Sequence, residues 1–128
     1  MTTDLRIGQH LERISTRLGL DAHSAVLIVG LGKTGYSIAR FLASQSIHFA
    51  ITDTREVPPF IQEFRENFPD AAVFLGGFNA TAFEAATHLV VSPGVALDHP
   101  LIVAAEARGV PVMGDLDLFA AVVDVPVL

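Results

Sequence analysis

A glycine-rich turn directly after an apolar run constrains this chain more than any other feature. Residues 25–29 read Ala-Val-Leu-Ile-Val, and residues 30–35 read Gly-Leu-Gly-Lys-Thr-Gly. Asp53 ends a second apolar stretch further along the chain. This order of strand, glycine turn, helix, strand and acid is typical of a nucleotide-binding βαβ unit. The glycines permit the sharp turn, and the helix that starts there directs its positive end toward phosphate groups.

The remaining chain alternates short apolar strands with helices. Proline pairs suit the first turn of a helix and glycine suits its end, so we expect Pro58-Pro59 to open the second helix and Gly109 to close the fourth. The alternation predicts a Rossmann-like α/β fold with three αβα layers and a five-stranded parallel sheet in the order 3-2-1-4-5. Strands are predicted at 25–30, 48–53, 72–75, 88–91 and 110–113, and helices at 34–45, 59–67, 80–86, 99–108 and 116–123.

The two ends of the chain differ from this pattern. Residues 1–23 are predicted to form a leader helix, because Leu11, Ile14 and Leu18 share one helical face before Gly19. Residues 24–128 are predicted to form the Rossmann-like domain. Residues 125–128 read as the start of another strand, so we expect the chain to be a fragment of a longer protein.

Composition narrows the possible classes of protein. Hydrophobic residues make up 51% of the chain and the mean hydropathy is +0.49, which buried parallel strands explain. The net charge of −6 argues against a nucleic-acid surface. No apolar run is long enough to span a membrane, and no apolar signal core is present, so a cytoplasmic location without membrane contact is expected. The absence of cysteine excludes disulfides and thiolate metal sites.

Three segments carry the candidate binding residues. A lysine and a threonine hydroxyl in the glycine turn suit phosphate oxygens, although Lys33 could equally be solvated and Thr34 could cap the helix. The acid and arginine after the second strand suit a ribose, a base or a phosphate, or form a solvated charge pair. The turn after the fourth strand adds a hydroxyl and free amides, or is an ordinary turn. The candidates are Gly32, Lys33, Thr34, Asp53, Thr54, Arg55, Ser92, Pro93 and Gly94.

Recognisable catalytic groups are missing from the sequence. The five histidines are dispersed, with no spacing typical of a catalytic triad or a metal site. The chain also lacks the Gly-x-x-x-x-Gly-Lys-[Ser/Thr] loop of ATP-hydrolysing proteins. We therefore expect no catalytic residue, no metal site and no cofactor within this chain.

Taken in order, the motifs resemble one family. These are Val29–Gly35, Asp53-Thr54-Arg55 with Pro58-Pro59, Val91–Val95, His99-Pro100 and Gly114–Phe119. Together they are similar to the N-terminal domain of the UDP-N-acetylmuramoyl-L-alanine:D-glutamate ligase (MurD) family. Lys33 departs from the apolar residue common there, and Asp117 replaces the usual Glu.

The resemblance implies the substrate-binding part of a three-domain, ATP-dependent ligase of peptidoglycan synthesis. ATP and Mg²⁺ would bind a second domain and D-glutamate would be bound through a third, and this chain alone would be inactive. Gly32, Lys33 and Thr34 would then lie against the diphosphate of UDP-N-acetylmuramoyl-L-alanine. Uracil and ribose would contact residues 53–55, and Ser92 and Gly94 would touch the sugar–phosphate side.

Two alternatives belong to other classes of protein. One is a regulatory NAD(H)-binding module like those of potassium-transport regulators. The other is an NADP-dependent oxidoreductase domain that uses Arg55 for the 2′-phosphate. Neither requires the Ser92-Pro93-Gly94 turn or the Gly114–Phe119 motif, and both features therefore favour the ligase.

Overall fold

A computed structural model describes residues 24–114, and the interpretations of residues 1–23 and 115–128 lie outside this range. The described chain alternates strands and helices. The strands are β1 (Ala25–Val29), β2 (His48–Asp53), β3 (Ala72–Leu75), β4 (His88–Val91) and β5 (Val112–Gly114). The helices are α1 (Lys33–Ser44), α2 (Ile61–Asn67), α3 (Ala80–Ala85) and α4 (Pro100–Ala107).

The five described strands form one parallel sheet in the order β3-β2-β1-β4-β5, which confirms the predicted fold class and strand order. In register, Val29 of β1 lies beside Thr52 of β2 and Val91 of β4. The carboxyl ends of these three strands therefore meet at one edge. The chain reverses its direction of strand addition between β1 and β4, and ligands of open α/β sheets bind at such a point.

Alternate residues of each strand contribute to two hydrophobic cores, one on each face of the sheet. Val26 and Ile28 pack on the face covered by α1 and α2, where Phe64 is fully buried. Leu27 and Val29 pack on the face covered by α3 and α4. Burial on both faces explains why β1 is apolar at every position, as the composition indicated.

Two predicted boundaries are wrong for identifiable reasons. The second helix begins at Ile61 instead of Pro59. Phe60 adopts a left-handed conformation (φ 67°), so the helix cannot include the two prolines that precede it. The last strand begins at Val112 instead of Val110, because the N–H of Val110 donates to Ala105 at the end of α4. Gly109, with φ 87°, ends α4 as predicted.

The buried hydroxyl of Thr52 gives a test of the core. Among the described residues, this oxygen has no hydrogen-bond partner. Thr52→Val keeps the shape of the side chain and removes the unsatisfied group, so the free energy of unfolding should rise by about 1 kcal/mol. The same change at Thr87 should lower it by about 1 kcal/mol, because the Thr87 hydroxyl bonds both the N–H and the carbonyl of Ala25. Urea denaturation measures the free energy of unfolding of both variants. Equal changes in the two variants would contradict the conclusion that the Thr52 hydroxyl is unsatisfied and the Thr87 hydroxyl is bonded.

Candidate functional site

A cavity of about 320 Å³ opens at the carboxyl ends of β1, β2 and β4. It brings together the three segments that the sequence singled out, although they are far apart along the chain. Lys33 is the one predicted residue that does not line the cavity; it is exposed. The predicted lining residues are Gly32, Thr34, Asp53, Thr54, Arg55, Ser92, Pro93 and Gly94, and they are joined by Gly30, Leu31, Gly35, Phe78 and Val95.

Two glycines of the turn are required by their surroundings. Gly30 has φ 95°, and a Cβ there would lie 3.0 Å from Val95 and 3.1 Å from Ser92. A Cβ on Gly35 would lie 2.5 Å from the carbonyl oxygen of Gly30, so α1 packs against the turn only because this side chain is absent. The turn thus brings the start of α1 close to the end of β1.

The start of α1 is open to the cavity. Gly32 is the N-cap residue, which rules out Thr34 as the cap, and it makes no side-chain cap hydrogen bond. The first N–H groups of a helix have no acceptor within the helix. A Cβ on Gly32 would meet nothing within 4 Å. Backbone donors and the positive end of a twelve-residue helix are therefore accessible to an anionic ligand.

Asp53 is buried at the end of β2, with its side chain 3% exposed. One carboxylate oxygen accepts from the N–H of Leu31 (2.8 Å) and from the Arg55 Nη2 (2.7 Å). The other accepts from the backbone N–H (2.8 Å) and Nε (2.9 Å) of Arg55. Arg55 also donates to the carbonyl of Leu31 at 2.9 Å. All four acceptor positions of the carboxylate are thus used within the protein, so Asp53 is not solvated, whereas its partner Arg55 remains 54% exposed.

The hydrogen bonds to Asp53 control its ionisation. Burial by itself would raise the pKa of the carboxyl, but the bonds from the Arg55 side chain and from the backbone N–H groups of Arg55 and Leu31 outweigh it. The net result is a pKa below the ordinary value. In return, the bond to Asp53 raises the pKa of Arg55, which keeps its charge at every accessible pH.

Ser92 fixes the other side of the glycine turn. Its hydroxyl donates to the carbonyl oxygen of Gly30 at 2.7 Å, and its N–H donates to Val29 at 2.9 Å. The turn after β4 is therefore bonded to the turn after β1. Pro93 and Gly94 lie beyond this connection and are exposed at the rim of the cavity.

Phe78 is a lining residue that the sequence reasoning missed. The N–H of Gly77 donates to the carbonyl of Asp53 at 3.3 Å, which draws the turn after β3 over the site. The Phe78 ring is half-buried and meets the ring of His99 edge-on at 4.7 Å between centroids. The Gly76-Gly77 pair at the carboxyl end of β3 was the available signal, because it predicts a tight turn at the same edge of the sheet.

The described residues show no grouping of three His, Cys, Asp or Glu side chains that could hold a metal ion. Within the same range, no helix is both long and apolar enough to cross a membrane.

The fold and the glycine turn define a Rossmann-like α/β domain. The model of the Mur ligase MurD-like N-terminal domain family matches residues 24–114, and the chain belongs to this family.

Curated relatives agree with this assignment. The chain is 52% identical over 112 residues to the UDP-N-acetylmuramoylalanine–D-glutamate ligase of Methylococcus capsulatus, a match that covers 88% of this chain and 24% of the relative. It is 54% identical over 102 residues to the ligase of the same name from Nitrosococcus oceani, covering 80% and 22%. The chain thus spans about a quarter of the length of these relatives.

A solved structure supports the fold alone. A chorismate mutase/shikimate 5-dehydrogenase fusion protein from Clostridium acetobutylicum aligns with a TM-score of 0.52 at 7% identity, over 91% of this chain and 51% of its own.

The lowered pKa of Asp53 predicts a pH-dependent contribution to stability. Because the folded-state pKa lies below 3.8, the carboxylate stabilises the fold above that pH and loses its contribution as pH falls through the folded-state pKa. Asp53→Asn should lower the free energy of unfolding by about 2–3 kcal/mol at pH 7. The difference from the unsubstituted chain should shrink toward pH 3. Denaturant titrations along the pH series measure this, with the exposed Asp70→Asn as control; a pH-independent difference would refute it.

Proposed function

We propose that this chain binds the UDP portion of UDP-N-acetylmuramoyl-L-alanine and belongs to an ATP-dependent ligase that adds D-glutamate to it in peptidoglycan synthesis. One observation carries the proposal. In a chain of the MurD-like family, the glycine turn, residues 53–55 and the turn after β4 line a single cavity at the switch point of the sheet. A cytoplasmic location follows from this role.

The diphosphate is assigned to the start of α1. Uncapped N–H groups, the open space beside Gly32 and the hydroxyl of Thr34 suit phosphate oxygens. Lys33 is exposed beside the cavity, so its role in the proposal is a general attraction for the diphosphate and not a specific contact.

The nucleoside is assigned to the part of the cavity beside Thr54, Arg55 and Phe78. The aromatic ring and the guanidinium provide flat surfaces for a base. Asp53 contributes by holding Leu31 and Arg55, because its acceptor positions are occupied. A direct bond from uracil or ribose to Asp53 would require Arg55 to rotate away.

The turn at Ser92, Pro93 and Gly94 completes the proposed site on the sugar–phosphate side. The Ser92 hydroxyl donates its hydrogen bond to the carbonyl oxygen of Gly30, so the main contribution of Ser92 is to hold the glycine turn in place. Gly94 is exposed at the rim and leaves room for a bulky sugar.

Catalysis is assigned to other parts of the ligase. There, with Mg²⁺ bound, the substrate carboxylate would take the γ-phosphoryl group of ATP with release of ADP, and the amine of D-glutamate would displace phosphate from the acyl phosphate. We assign no chemical step to the residues of this chain. Their task is to hold the nucleotide end of the substrate.

A dinucleotide is the alternative ligand. Arg55 donates to Asp53 and Leu31, so this alternative requires its remaining donors to hold a 2′-phosphate. Family membership favours the UDP substrate.

Ligand selectivity tests the proposal. Titration calorimetry of the 128-residue chain should detect UDP binding, whereas NAD⁺ and NADP⁺ at the same concentrations should give no signal. UDP, NAD⁺ and NADP⁺ all carry a diphosphate. A difference in their binding therefore depends on how the nucleoside fits the cavity. Millimolar ligand is appropriate because a single domain provides only part of the substrate contacts. Saturable NAD⁺ binding without UDP binding would reject the proposal.

Removal of Arg55 tests the nucleoside assignment. Arg55→Ala should weaken UDP binding by about tenfold to a hundredfold, the equivalent of one charge-assisted hydrogen bond or more. Arg55→Lys should weaken it almost as much, because the planar guanidinium is lost. Arg40→Ala, on the exposed face of α1, serves as the control. An unchanged isotherm for Arg55→Ala in a folded protein would exclude Arg55 from the site.

A further inference from the structure

A second cavity lies at the opposite edge of the sheet from the candidate site. This groove, of about 270 Å³, lies at the amino ends of β1, β2 and β3 and beside α3. The described residues that line it are apolar apart from His48 and Thr81. We call it the amino-edge groove, and define it by Ala25, Leu27, Ala50, Phe74, Ala82 and Ala86.

At the amino-edge groove, the described residues 24–114 cover one sheet face incompletely. Ala50 and Phe74, which belong to the core on this face, are only half-buried. Parallel sheets normally have both faces covered by helices. An apolar surface beside the first three strands therefore calls for a further covering element.

The chain itself supplies a matching element. Residues 1–23 precede β1 in the sequence and are joined to it by Ser24. Ala25, the first residue of β1, is part of the groove. On the predicted leader helix, Leu11, Ile14 and Leu18 form an apolar stripe about 10 Å long, which matches a strand of three to four residues. The seven-residue step from Leu18 to Ala25 reaches at most about 25 Å, so the stripe stays within range of the groove.

We propose that the apolar stripe of the leader (Leu11, Ile14 and Leu18) packs into the amino-edge groove and covers β2 and β3 on the face occupied by α3. The described part of the lining has few polar groups to orient a small-molecule ligand, which favours a hydrophobic side-chain occupant. Docking at this edge leaves the cavity at the carboxyl ends of the strands open. The leader therefore supports the fold without contacting the proposed UDP site.

Thiol protection tests this docking, and the cysteine-free chain makes the experiment direct. Ala85→Cys places a thiol on the exposed part of the groove lining, and Ala107→Cys places a reference thiol on α4. In the otherwise unchanged chain, a maleimide should label Cys at position 85 at least about tenfold more slowly than after the double change Ile14→Ser and Leu18→Ser. A tenfold protection corresponds to about 1.4 kcal/mol.

The matched control alters the opposite side of the leader. Arg13→Ser with Arg17→Ser should leave labelling at position 85 slow, because these residues lie off the stripe. Labelling at position 107 should be the same in all variants. Equal rates at position 85 for the two leader variants, or equal acceleration at position 107, would overturn the proposal. Protection that increases with protein concentration would also overturn it, by assigning the groove to a second copy of the chain.

The same variants separate this proposal from the proposed function. Ile14→Ser with Leu18→Ser should leave the UDP isotherm unchanged, since the groove and the candidate site lie at opposite edges of the sheet. Loss of protection with intact UDP binding supports the docking. Absence of UDP binding in every variant counts against the proposed function alone.

Discussion

The candidate site depends on the bonds that hold the glycine turn between its two neighbours. On one side, the Asp53 carboxylate accepts the N–H of Leu31 while Arg55 bonds the Leu31 carbonyl. On the other side, the Ser92 hydroxyl bonds the carbonyl of Gly30. Charge-assisted bonds to a buried carboxylate are stronger than neutral ones. The turn is therefore fixed before any ligand arrives, and the start of α1 is held in one direction.

The polar residues of the site therefore have two different roles: some position the backbone, and others can contact a ligand. Asp53 and Ser92 use their hydrogen-bonding capacity inside the protein, so they act through the position of the backbone. The first turn of α1, Thr34 and Thr54 keep free capacity for a ligand at the cavity wall. A sequence motif does not distinguish these two roles, because both kinds of residue lie in the same short segments.

Much of the architecture could be predicted from local patterns. Strand alternation and the Gly109 stop were confirmed, since each reflects chemistry within a few residues. The predicted start of the second helix was wrong because Phe60 adopts a left-handed conformation, which the intrinsic preferences of phenylalanine do not favour. The position of Phe78, which the sequence did not predict, depends on a backbone bond from Gly77, in the turn after β3, to Asp53 at the end of β2. Interactions of this kind are set by strand order and are not encoded in any one segment.

The sequence by itself determined the class of fold, the parallel sheet and the three segments that reach its carboxyl edge, because hydrophobic periodicity and glycine turns act locally. Tertiary structure alone decided that Asp53 is fully bonded, that Lys33 lies outside the cavity and that the amino edge of the sheet carries an apolar groove. Each of these depends on the distance between residues that are remote in the chain. Such distances follow from packing of the whole domain, which no single stretch of residues specifies.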